Sequence, residues 1–540
     1  MPVKIPVSIS SSFGEFRVNH FHAGIDIRTG GKEGIRIYAI EDGFVSRIKI
    51  SPWSYGNTIY IDHPNGYTSV YAHLKSFNSE IKTHTRQLQY NNQEFAIDIQ
   101  IEKDKLPIKK GEFIGLSGNT GRSFGPHLHF EIRETITEFP VDPMQFYPQI
   151  KDNIKPRIKS FHIYSFADTN MVYIKRTKHQ IYGSNGNYYL NNILNLSGYT
   201  GFGIETLDYI NGSSNKCGIK AITLKIDSSI VYEFVLDKFS YYQKRYINAH
   251  LDYAYYIETK KRINKLWVEP NNKLSLYKNV INNGIYNFND DEIHNIECLI
   301  SDYRDNISKL NFKVQSKTNT NVLVSDIKNE GQEMFYNKEN IFKNDCITVN
   351  LSDSVLYNNI YFQYNISEKR NGSLTPVYHI HKNTSPLHNK IDLNIKADSI
   401  SDSLTSKLLI AHLTKKDKII SYGGKFSDGS ITAQIDKFGK YFVLIDTIPP
   451  RISSKDIFEG AKFENDNNIS LKITDNLSGI VSYNGFIDER WILFEFEPKQ
   501  NLIIYNFDDK IEKTEEKHKF LLKVKDERGN TSIFKTYFYY

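Results

Sequence analysis

The stretch His-Leu-His-Phe-Glu-Ile-Arg at 127–133 decides how the first part of this chain is read. Polar and apolar residues alternate strictly. An extended backbone therefore puts His127, His129, Glu131 and Arg133 on one face and Leu128, Phe130 and Ile132 on the other. Gly125 and Pro126 end the preceding turn, so the strand begins at once. Two imidazoles side by side over an apolar reverse face suit a strand whose polar side lines a cleft. Taken alone, the same pair also fits a merely solvated strand.

Working outward, IRIYAI (35–40), GFVSRIKI (43–50), NTIYIDH (57–63) and GYTSVYAHL (66–74) read as further strands. The last two are joined by Pro64-Asn65-Gly66, a hairpin signal. GEFIGLSG follows at 111–118. No segment combines helical periodicity with caps, so residues 1–150 are expected to be mostly antiparallel β. This region holds seven of the 16 histidines. Two further stretches stand out: His22-Ala-Gly-Ile-Asp26, which taken alone also fits a polar turn, and Tyr71-Ala-His73-Leu74. An imidazole and a carboxylate are good zinc ligands, and a third ligand from a distant strand would leave one position open, as in a catalytic rather than a structural site. Zinc acidifies water to a pKa of about 7 and polarises a carbonyl, leaving proton handling and oxyanion stabilisation to nearby imidazoles.

Composition narrows the class. At roughly 150 residues per domain, 540 residues imply three or four domains. The chain is 39% hydrophobic and 24% charged, too apolar for disorder. No apolar run is long enough to span a bilayer as a helix. The net charge of +6 is too weak a field over this length to argue for nucleic acid. Abundant Tyr and Phe favour strands. Cys217, Cys298 and Cys346 lack the spacing of a disulfide framework or a thiolate site and read as packed thiols.

HAGID, YAHL and GNTGRSFGPHLHFEIR together resemble the signature segments of the lysostaphin/LytM-type zinc metallopeptidases, bacterial enzymes that cut peptide bonds in peptidoglycan. The resemblance covers about the first 150 residues. It implies one zinc per chain held by His22, Asp26 and His129, with His73 and His127 acting in catalysis. It also implies a peptidoglycan substrate, hence the periplasm or cell surface, with an export signal expected upstream of this sequence. Residues 75–108 form an insertion relative to compact family members, either a lid or wall of the substrate groove or an exposed excursion. His20 is expected outside the ligand set, and His63 is expected to be structural.

Beyond Pro148 the chain becomes rich in Asn, Ser and Tyr, with short alternating runs such as IKAITLKID and YFVLID. Asp-Asn-Ile-Lys-Pro-Arg-Ile at 152–158 is echoed by Asp-Thr-Ile-Pro-Pro-Arg-Ile at 446–452, and DYRDNIS at 302–308 by DERGNTS at 526–532. Each echo opens or closes a segment, which predicts two related sandwiches with a third between them. The expected architecture is mainly β: a LytM-type peptidase domain at 1–150, β-sandwich modules at 151–317 and 318–445, and an Ig-like sandwich at 446–540. These modules are expected to hold the enzyme on the wall, pack over the groove, space it or recruit other cell-envelope proteins; if they only space, deletion of 318–540 leaves activity on soluble muropeptides unchanged.

The sequence thus favours a zinc metalloendopeptidase of peptidoglycan. Two rivals stand beside it: a latent or non-catalytic LytM-type scaffold that activates other wall hydrolases, and a zinc peptidase acting on proteins. Gly121-Arg-Ser123-Phe-Gly125 matches the spacing of a nucleophile elbow, but a proline and a strand follow it where a helix is required. His379-Ile-His381 is a second alternating pair and reads as a solvated strand.

Overall fold

The computed structural model describes residues 1–167, 173–318, 330–398, 400–454, 456–464, 468–514 and 516–540. The chain is mostly β, and the first sheet is antiparallel throughout. From one edge its central strands run Ile9–Ser11, Ile25–Arg28, His127–Glu134, Tyr67–Phe77, Asn57–Asp62 and Gly43–Ile50. Alternation explains the layering: Ile25, Ile27, Leu128, Phe130 and Ile132 fall on the core face and are almost wholly buried. The Asn57–Asp62 hairpin closes through Gly66, whose φ of 83° suits a residue without Cβ.

The 75–108 segment departs from the expectation that no stretch of this domain forms a capped helix. Tyr67–Phe77 runs on into it, and an α-helix then spans Ser79–Asn92, capped by Asn78, whose side chain accepts from Ile81 N at 2.9 Å. The helical period was hidden because the buried positions Ile81, Thr85 and Gln89 include two polar residues. Ile97–Gln100 then pairs with Gly43–Ile50 and extends the main sheet. The exposed side of the helix docks on the last part of the chain. Arg86 and Tyr90 both reach the Asp508 carboxylate, and the Tyr90 ring meets Trp491 edge-on at 5.5 Å.

Three further pairs of sheets follow. In the first, Arg157–Phe166 and Gly198–Leu207 lie in one sheet, with Ala221–Ile226, Ile293–Ser301 and Ile307–Ser316 in the other. Phe161, Phe202, Leu224, Phe234 and Leu310 fill the space between. The second pair spans 340–445, and the last spans 451–539. Cys217, Cys298 and Cys346 are free thiols.

The first sheet pair is not a mere appendage of the peptidase domain. Phe13, Phe16 and Phe21 leave the domain that carries His22 and enter this neighbour's core, where Phe13 and Phe21 both pack on Phe239 at 5.7 and 5.3 Å. Each buried phenylalanine is worth about 1.5–3 kcal/mol. That outweighs exposed ion pairs such as Lys238–Glu134 across the same boundary, at about 0–1 kcal/mol.

His250 sits at the foot of that core, stacked on Phe234 at 4.3 Å, with Nε2 donating to Asn264 Oδ1 at 3.2 Å. Burial pushes its pKa down from 6.5 to about 3 against the Asn264 bond, with Lys265 lowering it further. A base depressed on folding stabilises fully above its unfolded pKa, and that contribution drains away as pH falls toward the folded value. Urea midpoints should therefore fall progressively between pH 6.5 and about pH 3, and His250→Gln should flatten the slope. An identical slope in the variant would refute this assignment.

Candidate metal and catalytic site

Asp26 stands between Ile25 and Ile27 on the strand beside His127–Glu134, and the register sets it directly opposite His129. Cross-strand partners share a face, so the carboxylate meets the imidazoles on the polar side. His22 precedes that strand. It is fixed by two backbone bonds of 2.8 Å, from Gly14 N to its carbonyl and from its own N to the Glu15 carbonyl.

His73 needs a special backbone. Its neighbour Ala72 lies opposite His129, so regular alternation would turn His73 toward the core with Tyr71 and Phe130. The pairing with Asn57–Asp62 slips at this point, and His73 adopts a left-handed φ of 59°. That bulge returns the ring to the polar face, with its centroid 4.8 Å from His127 and 5.9 Å from His129. A non-glycine residue in this region costs of order 1–3 kcal/mol and persists where its surroundings impose it.

The five side chains predicted from sequence come together here. His22 Nε2 lies 3.1 Å from Asp26 Oδ1 and 3.0 Å from His129 Nδ1, and His129 Nδ1 lies 2.9 Å from Asp26 Oδ1. A tetrahedral ion with bonds of about 2.0–2.1 Å has ligand–ligand edges of about 3.3 Å, so modest spreading of this triangle would accommodate zinc. The remaining ring nitrogens are engaged so that the lone pairs face inward. His22 Nδ1 donates to the Ser12 carbonyl at 2.7 Å, and His129 Nε2 donates to Glu131 Oε1 at 2.8 Å. The place between the three also favours positive charge. Bonds to Asp26 and Glu131 overcome burial and hold His129 up at about 9, so a cation binding there takes the place of the Nδ1 proton. Burial likewise opposes ionisation of Asp26, yet His22 and the other imidazoles around it hold its carboxyl well below the usual range. Two imidazoles and a carboxylate with inward lone pairs fit zinc.

His73 and His127 share one orientation. Each donates Nδ1–H to a backbone carbonyl at 2.8 Å, that of Thr120 and of Gly125 respectively, which leaves both Nε2 atoms as acceptors. His127 Nε2 stands 3.5 Å from Asp26 Oδ1. Burial, followed by His129 and His127, pushes His73 down to about 3 and keeps it neutral. His20 turns away and bonds the Val18 carbonyl, and His63 bridges the Asp42 carbonyl and Ser69.

Several supporting groups escaped the sequence reading. Glu131 is fully buried and receives His129, Tyr55 at 2.5 Å, Tyr241 at 3.0 Å and the Arg133 guanidinium at 2.7 Å. Its shared face with His129 was legible in the alternation; Tyr241, from the neighbouring sheet pair, left no signal. Arg17 holds the outer oxygen of Asp26 at 3.0 Å, which points the other oxygen at the imidazoles.

Comparison with known proteins gives the first domain a family. Residues 20–90 and 90–143 match peptidase family M23. The N-terminal domain is an M23 peptidase domain. Residues 331–446 match a Zu5-like domain. DD-carboxypeptidase/endopeptidase Mpg of Neisseria meningitidis is 35% identical over 142 residues, covering 25% of this chain and 26% of the relative. Peptidoglycan DD-endopeptidase ShyB of Vibrio cholerae is 32% identical over 124 residues, covering 23% and 22%. The matches span about a quarter of these curated relatives' length. Among solved structures, a zinc-containing peptidase from Vibrio cholerae is 30% identical, with 26% of this chain and 38% of that one covered and a TM-score of 0.20. The lysostaphin catalytic domain from Staphylococcus simulans is 24% identical, with 26% and 91% covered and a TM-score of 0.20.

In this M23 domain Glu131 holds His129, through which it would act on a bound metal. Glu131→Gln should lower zinc affinity by about 10–100-fold, and Tyr55→Phe, which removes one donor and keeps the charge, should lower it less. Competition with a chromophoric chelator measures both. Wild-type affinity in Glu131→Gln would remove Glu131 from this positioning role.

Proposed function

We propose that this chain is a zinc endopeptidase that hydrolyses stem peptides or cross-links of bacterial peptidoglycan. His22, Asp26 and His129 hold one zinc per chain, and His73 and His127 are the catalytic histidines. The observation that carries the reading is the triangle of inward-facing donor atoms bordered by two acceptor imidazoles. The names of the relatives, DD-endopeptidases among them, support the substrate class. When bound, zinc supplies a Lewis acid that acidifies water and polarises the scissile carbonyl. His127 and His73 present Nε2 toward the same space, so a proton leaving the nucleophilic water has an acceptor at once. The protonated ring then donates to the oxyanion or to the leaving amine. Asp26 stays ionised beside them, steadied by Arg17. A peptidoglycan substrate puts the chain in the periplasm or at the cell surface.

Digestion of purified sacculi followed by mass spectrometry tests this reading. Wild type should release peptide fragments. His22→Ala and His129→Ala should lose both zinc and activity. His127→Ala and His73→Ala should keep zinc and lose about 10²–10⁴-fold in rate. Undiminished digestion by His129→Ala would overturn the proposal, and cleavage of casein with intact sacculi would move the substrate to proteins.

One observation favours a restrained form of the same enzyme. Of the five site residues only His127 has appreciable exposure, at 18%. The last sheet pair also sits on the rim, with Lys499 bonded to the Asn119 carbonyl and Phe496 against Trp53. Faster digestion by Asp508→Ala would identify that docking as a brake.

A further inference from the structure

Two triplets of carboxylates lie outside the proposed zinc site, one in the first sheet pair and one in the last. Asp152, Asp208 and Asp302 each offer an oxygen within 4.8 Å of the others, and so do Asp446, Asp475 and Asp526. The first three are 7%, 2% and 1% exposed. Among the described residues, no ion pair reaches any of the six. Three carboxylates gathered out of water without a cation repel one another, and the arrangement is costly as it stands.

The two triplets are the same construction made twice. Arg157 pairs with Leu207, and Arg451 with Thr474, so Asp208 and Asp475 each follow the residue opposite the equivalent arginine. Asn306 donates to the Asp302 carboxylate and the Asp152 carbonyl; Asn530 does so to the Asp526 carboxylate and the Asp446 carbonyl. Asp152 accepts from Ile154 N, and Asp446 from Ile448 N. Ser308 and Ser532 close each loop onto the carbonyls of Pro156 and Pro450. In this shared scaffold the third aspartate keeps a spare oxygen in both copies: Asp208 Oδ1 and Asp475 Oδ1 are buried with no hydrogen-bond donor. A buried carboxylate oxygen without a donor, repeated at the equivalent position, calls for a partner.

We propose that each triplet is a divalent-cation site selective for Ca²⁺, giving two calcium ions per chain, one at the junction of the peptidase domain with the first sheet pair and one at the junction of the middle and last pairs. The ligands are all oxygen, without histidine or thiolate, which suits a hard cation. Ca²⁺ accepts mono- and bidentate carboxylates in irregular geometry and completes its shell with water, whereas Mg²⁺ demands a near-ideal octahedron. The placement gives the ions a task. Asp152 follows the last residues of the peptidase domain, where Arg304 holds the Tyr147 carbonyl at 2.8 Å. Asp446 closes the middle pair, whose Lys407 reaches Asn530 and the Arg528 carbonyl. Each ion would therefore tie a linker to two strands of the following module and fix the angle between neighbours.

The test uses the full zinc-loaded chain in calcium-free buffer, titrated with CaCl₂ by calorimetry and followed by thermal melting. Wild type should bind two Ca²⁺ and melt several degrees higher with calcium than with equimolar MgCl₂, while zinc content stays constant. Asp208→Asn and Asp475→Asn should each remove one ion, and the double variant should remove both together with the calcium-dependent rise in Tm. Both variants relieve repulsion, so they should fold at least as well as wild type without calcium. Absence of calcium heat and of any Tm rise in wild type at millimolar CaCl₂ would overturn the proposal, as would an unchanged stoichiometry in the double variant.

Discussion

Glu131 is ionised and wholly removed from water, in the middle of the strand that bears both histidines of the HLH stretch. A buried carboxylate costs several kcal/mol unless its lone pairs are met and its charge is balanced. Arg133 balances it, two residues along the same face. His129, Tyr55 and Tyr241 complete the set. Because His129 spends Nε2–H on this carboxylate, its Nδ1 turns toward Asp26 and His22. Much of the site follows from that one constraint: the tautomer, the ring orientation and the direction of the donor triangle.

The same constraint reaches across the domain boundary. Tyr241 belongs to the first sheet pair, and three phenylalanines from the segment before His22 are buried in that neighbour's core. The module is therefore a wall of the site and an anchor for the segment that carries His22. The last sheet pair holds the domain by a different route, through the helix that the peptidase domain inserts between two of its strands. Both contacts make the position of the modules a matter for the site itself.

Much of this was legible in the sequence because period two is a strong rule. HLHFEIR announced its two faces, and the side-by-side imidazoles, Glu131 and Arg133 all follow from it. His22, Asp26 and His73 were legible only through motif spacing; nothing local announces that His73 sits in a left-handed bulge. The helix at 79–92 was missed since its buried stripe includes Thr85 and Gln89 and its cap, Asn78, lies beyond a strand end. Arg17, Tyr55 and Tyr241 come from segments with no pattern of their own, and only tertiary folding gathers them. The echoed segments contain four of the six clustered aspartates, while Asp208 and Asp475 lie in loops whose sequences differ.

The central claim is that His22, Asp26 and His129 hold one zinc in a site left open on one side. X-ray absorption at the zinc edge of the full chain tests it most directly. The account predicts two imidazole ligands with bonds of about 2.0–2.1 Å, oxygen in the rest of the shell, and loss of bound zinc in His129→Ala. A sulfur shell at about 2.3 Å, or an unchanged spectrum from His129→Ala, would contradict it.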